Sequence, residues 1–124
     1  MTTNKAATPQ PAPSQSNHKP IIAEIRAVLL EAPRPYFDAL MQDLEDRSGM
    51  GFNKYGTVLK PFNGRDALVD MYQELLDALM YNLQAMEEDP QDGQLPMMLG
   101  ALTNLAYNLK LRIVARDTQN VRTV

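Results

Sequence analysis

The sequence contains no cysteine and no tryptophan, and its single histidine is His18. Without thiols there is no disulfide framework, thiolate zinc site or cysteine nucleophile. One histidine in a Pro-rich stretch excludes a His-centred triad and a His-ligated metal. No apolar run approaches the ~20 residues that a membrane-spanning helix needs, and the N-terminus lacks a signal-peptide core. The expectation is a cytoplasmic protein with no membrane partner. Positive charge is short as well: the formal net charge is −3 and the pI about 5.0. That balance argues against a nucleic-acid partner. No Lys or Arg occurs between Arg65 and Lys110.

What the chain does have is Leu, Met, Ala and Ile, with few aromatics, in 124 residues. That length suits one domain, and those residues favour helices over strands. The expected fold is all-α: a compact antiparallel helical bundle of about four helices, completed by oligomerisation.

One stretch, Asn63–Asp89, organises the rest. It reads as a long helix with Asn63 as its N-cap and Pro90 closing it. At about 100° per residue, with Asp66 as zero, Asp77 falls at roughly 20°, Asp70 at 40°, Tyr81 at 60° and Glu74 at 80°. Leu68, Tyr72, Leu75, Leu79, Met86 and their neighbours fill most of the remaining circumference. A surface helix normally shows a wide mixed-charge face. This one shows a wide apolar surface around a purely acidic seam. Two readings of that seam stay open: a solvated helix face, or a site for a hard divalent cation. Like charges at i,i+4 repel unless a cation offsets them, and no basic residue interleaves to do so.

Around this helix the chain divides as follows. Residues 1–19 are rich in Pro, Ser, Thr and Asn, with too little apolar bulk to offset ordering, and read as a disordered tail. A bundle domain spans 20–116. Its first helix covers 20–32, and Pro33 and Pro35 break the chain after it. The second covers 35–48, with Asp43 and Asp46 adjacent on its surface and Gly49 and Gly51 ending it. The connection 49–62 is long, and Arg47, Lys54, Lys60 and Arg65 lie in or beside it. The glycines there do not form a P-loop. After a turn at 90–94 the last helix covers 95–116. It is apolar on several sides, as at an interface between subunits. Residues 117–124 read as a frayed end.

Within the acidic helix, Glu74-Leu75-Leu76-Asp77-Ala78-Leu79-Met80-Tyr81 resembles the E-x-x-D motif and following Tyr of the MazG-like, all-α nucleotide pyrophosphohydrolases. Lys54-Tyr55-Gly56 followed by Asn63-Gly64-Arg65-Asp66 is similar to small members of that family encoded in phages and prophages. The resemblance spans about residues 36–88. It implies an oligomer, a homodimer or homotetramer. It further implies that a nucleoside triphosphate is cleaved to monophosphate and pyrophosphate with Mg²⁺, or Mn²⁺ in its place. Glu74 and Asp77 would then be metal ligands. The family's E-E-x-x-E motif on the preceding helix is not reproduced; Asp43 and Asp46 are its nearest counterpart. Asp70 is the choice for orienting or deprotonating water. Lys54 and Arg65 would hold the polyphosphate, and Asn63 or Tyr81 the base or sugar. The competing reading is a non-catalytic helical interaction protein that has kept the bundle and lost part of the metal site.

Overall fold

In a computed structural model of the protein, residues 5–30 and 32–122 are described. Residues 1–4 of the expected tail, Glu31 of the expected first helix and residues 123–124 of the expected frayed end lie outside them. Among the described residues every regular element is helical: α1 (Ile21–Val28), α2 (Arg34–Tyr55), α3 (Ala67–Glu88) and α4 (Gln94–Arg122). The all-α expectation holds.

The chain forms two compact units. One takes the described residues up to Pro9 together with those from Asp66 onward; the other runs from Gln10 to Arg65.

The unit built on α3 and α4 is a helical hairpin. Asp89–Gly93 is too short for anything but an antiparallel return. Asp66, at the head of α3, meets Arg116 near the end of α4, and Lys110 lies over the ring of Tyr72. Both helices commit an apolar row spaced alternately three and four apart, the spacing that keeps one stripe facing a partner helix. On α4 the row is Leu95, Leu99, Leu102, Ala106, Leu109 and Ile113. On α3 it is Leu68, Tyr72, Leu75, Leu79 and Met86, with the polar Asn82 at the position between the last two. The centre of the core is Val69, Leu109 and Ile113, with Leu68, Tyr72 and Leu75 packed against it.

The other unit holds α1 and α2. Arg26 of α1 lies over the ring of Phe37 and reaches the carboxylate of Asp38 at 3.6 Å. Among the described residues Met41 is its buried apolar side chain. Here the element boundaries depart from expectation. Gly49 and Gly51 do not end α2, which runs on to Tyr55. A glycine inside a helix costs about 1 kcal/mol relative to Ala and does not by itself stop one. The stop is Gly56. Its φ of 74° lies in the left-handed region, and its N–H donates to the Phe52 carbonyl at 2.8 Å. That geometry caps a helix C-terminus and favours glycine.

The start of α3 differs too. Asn63 is not the cap. Its side-chain oxygen accepts from the Arg65 N–H at 3.1 Å, closing an Asx turn. Asp66 is the cap, accepting from the Val69 N–H at 3.2 Å. At the other end of the chain α4 continues through Arg116 and Asp117 to Arg122.

Residues 5–19 form no helix or strand. They are tied down by hydrogen bonds rather than by apolar burial. The Gln73 amide donates to the Lys5 and Thr8 carbonyls at 2.9 and 3.2 Å, and the Lys5 ammonium lies 3.6 Å from Asp117. Further along, the Ser14 N–H donates to the Asn63 carbonyl at 2.7 Å and the Ile21 N–H to the Leu59 carbonyl at 2.9 Å.

Candidate functional site

Beyond Asp66 at its head, the acidic seam of α3 faces away from α4. On the scale that puts Asp66 at zero, the inward row of Leu68, Tyr72, Leu75 and Leu79 lies at roughly 180–240°, opposite the seam at roughly 0–80°. The seam residues are not equivalent. Asp66 and Asp70 are half-buried, whereas Glu74, Asp77 and Tyr81 are exposed. Glu74 and Asp77 stand one turn apart, and neither has an ion-pair partner among the described residues.

Asp66 is fully engaged. The Arg116 guanidinium donates to its Oδ1 at 2.9 Å and approaches its Oδ2 at 2.8 Å. This fork is the strong form of a carboxylate–guanidinium contact. The Arg116 hydrogen bond holds the Asp66 carboxyl below the usual carboxylate range, against a partial burial that acts the other way. The same bond raises the pKa of Arg116 still further. Arg116 also donates to Asp117 Oδ1 at 3.1 and 3.2 Å. These groups lock the head of α3 to the last turns of α4.

The remaining candidates lie in the other unit. Asp43 and Asp46 are exposed on α2, and Asp46 accepts from the Gln42 amide at 3.0 Å. Lys54 is not in a loop but on the last turn of α2, its ammonium 5.1 Å from the centre of the Tyr55 ring. Asn63 is buried at 7 % exposure, held by its own turn and by Ser14. The Arg65 guanidinium donates to the Pro11 carbonyl at 2.7 Å. Thus Glu74 and Asp77 sit together on α3, Asp43 and Asp46 sit together on α2, and the pairs belong to different units. Among the described residues no three of the His, Asp and Glu side chains group closely enough to hold a metal ion.

Two features escaped the sequence reading. The Asp66–Arg116 pair is one; an Asp directly before the apolar run Ala67-Leu68-Val69 is a cap signal, but nothing local points to Arg116. The other is Asn82, buried at 6 % exposure in the inward row of α3, with no hydrogen-bond partner for its Oδ1 among the described residues. Its place in the three-four spacing was readable; its burial was not.

Compared with protein-family models, with curated proteins and with solved structures, the chain matches none.

Proposed function

We propose that this chain is a Mg²⁺-dependent nucleoside triphosphate pyrophosphohydrolase of the MazG-like type, acting on an NTP or dNTP. The observation that carries the reading is the pair Glu74 and Asp77: exposed, one turn apart, without an ion-pair partner among the described residues, on a helix with no basic side chain. Mg²⁺ takes oxygen donors, often only one or two carboxylates with waters and substrate phosphates completing the shell. An all-carboxylate pair fits that preference, and the family resemblance assigns the same two residues. Mn²⁺ fits the same donors.

When bound, the cation neutralises charge on phosphate oxygens and makes water a better nucleophile. The chain's residues do the rest. Glu74 and Asp77 would hold the cation; Asp43 and Asp46 are a second carboxylate pair, on the other unit. Asp70 takes a proton from the attacking water as that water adds across the α–β phosphoanhydride. The products are a nucleoside monophosphate and pyrophosphate. Lys54 and Arg65 are the candidates for phosphate oxygens, and Asn63 or Tyr81 for the base or sugar. The test is incubation with Mg²⁺ and each common NTP and dNTP, followed by separation of products. Monophosphate plus pyrophosphate is expected, abolished in Glu74→Gln and in Asp77→Asn, with unchanged melting temperature in the absence of metal. Orthophosphate as the first product counts against the assignment.

A second reading has its own support. Tyr107, Leu111, Val114 and Val121 form an exposed apolar stripe on α4, distinct from the row that packs on α3. A stripe of this kind suits a non-catalytic helical interaction protein. The readings separate by thermal shift: a bound ion stabilises the native state by mass action, so Mg²⁺ or Mn²⁺ raises the melting temperature only under the first.

A further inference from the structure

We propose that residues Pro11–His18 are an intramolecular strap over the loop Lys60–Arg65, and that a polyphosphate gains this loop only by lifting the strap. The proposal deepens the pyrophosphohydrolase reading and rests on it for the identity of the loop's ligand.

The strap is paired to the loop along its length. The Ser14 N–H donates to the Asn63 carbonyl at 2.7 Å, and the Ser16 hydroxyl donates to the Pro61 carbonyl at 2.6 Å. Two residues forward on one segment match two back on the other, so the segments run antiparallel. Gly64, with φ at 84°, permits the approach: a Cβ there would meet the Ser14 hydroxyl at 3.0 Å. The ring of His18 rests on that of Phe62, with centroids 4.6 Å apart. Phe62 itself holds a φ of 57°, a left-handed conformation uncommon for a large side chain.

Each of the loop's cations reaches one neutral acceptor of the strap. The Lys60 ammonium donates to the Ser16 carbonyl at 3.3 Å and the Arg65 guanidinium to the Pro11 carbonyl at 2.7 Å. The segment from Pro11 to His18 contains no Asp or Glu, so its own contacts with these donors are made by uncharged oxygens. Phosphate oxygens make stronger, charge-assisted bonds to the same groups. A polyphosphate therefore competes on favourable terms with the strap's carbonyls. The strap sets a threshold: the apparent affinity of the loop falls by the fraction of molecules in which it is seated.

The test uses the full chain, with inorganic tripolyphosphate as the probe. Ser14→Pro removes the N–H that bonds Asn63, and Ser16→Ala removes the hydroxyl that bonds Pro61. His18 is the only histidine, so its imidazole proton resonances report the strap directly through the ring current of Phe62. The double variant is expected to show a free imidazole and to bind tripolyphosphate about tenfold more tightly by calorimetry. Tripolyphosphate is expected to shift His18 of the unmodified chain to the same free position. His18→Ala, which leaves the backbone pairing intact, gives a smaller gain and serves if the double variant misfolds. Equal affinity with and without the strap contacts overturns the strap while leaving the pyrophosphohydrolase reading to the turnover assay. So does tripolyphosphate binding with His18 still on Phe62. No binding to any form overturns the strap and removes Arg65 from the proposed site.

Discussion

Asp66 does two jobs at once, and they are separable by substitution. It caps α3 through the Val69 N–H and pairs with Arg116. Asn is also a good N-cap, so Asp66→Asn keeps the first role and removes the second. Both side chains are about a third exposed, which moderates the loss through solvent screening; about 1 kcal/mol is expected, or several degrees in Tm. The sign of its pH dependence follows from the depressed carboxyl pKa. The stabilisation is fully present above the unfolded carboxyl's ordinary value near ~3.9 and disappears as pH falls through the lower folded value. Melting curves of the two proteins should differ by a constant amount above about pH 5 and converge in acid below that. Asn82 predicts the opposite direction. A buried acceptor without a partner costs on the order of 1–3 kcal/mol, so Asn82→Leu should raise the melting temperature by several degrees in calorimetry. A fall would mean that the amide is satisfied after all. Neither residue was legible beforehand for the same reason: whether a polar side chain is paired depends on a helix fifty or twenty residues away, not on its neighbours in sequence.

At the scale of the element, helix type and number were readable because periodicity and composition agree over long stretches. Boundaries were less so. The glycines of α2 carry the lesson. Gly49, Gly51 and Gly56 are alike in sequence, yet only Gly56 adopts the left-handed backbone that stops a helix. Opposite effects are therefore expected from one chemical change. Gly51→Ala, with open space for its Cβ inside the helix, should stabilise the protein by up to about 1 kcal/mol. Gly56→Ala also meets no atoms, but forces a Cβ onto a positive φ and should destabilise it by about 1 kcal/mol. Chemical denaturation of both variants checks the assignment. The acidic seam was legible as a seam, since its angular clustering follows from spacing alone. Which way it faces was not: only the packing of α3 on α4 reveals that Glu74 and Asp77 point away from the hairpin core.

For the whole molecule, the informative surface is the one that the fold leaves bare. Tyr107 and Leu111 of α4 are 69 % and 67 % exposed, and Val114 and Val121 continue their row. Such rows associate by the same three-four spacing that joins α3 to α4. The expected oligomer predicts that Leu111→Glu and Val114→Glu lower the molecular mass in solution, measured by light scattering, without loss of helical content. An unchanged mass would place the subunit contact elsewhere. Composition foresaw the excess of apolar residues on the last helix because α4 has more of them than one neighbour can cover. It did not foresee that the hydrophilic N-terminal segment would be seated through hydrogen bonds, a tie that apolar content does not measure.

The seating of that segment fixes an order of events during synthesis. The Gln73 amide that holds the Lys5 carbonyl is made 68 residues after Lys5, and Asp117, its ionic partner, later still. The α3–α4 hairpin closes over a five-residue turn and needs no distant contact. Ring closure over long separations is slow relative to such local pairing. The ties of Lys5 and Thr8 to Gln73 thus wait for α3, and the ion pair of Lys5 waits for the far part of α4.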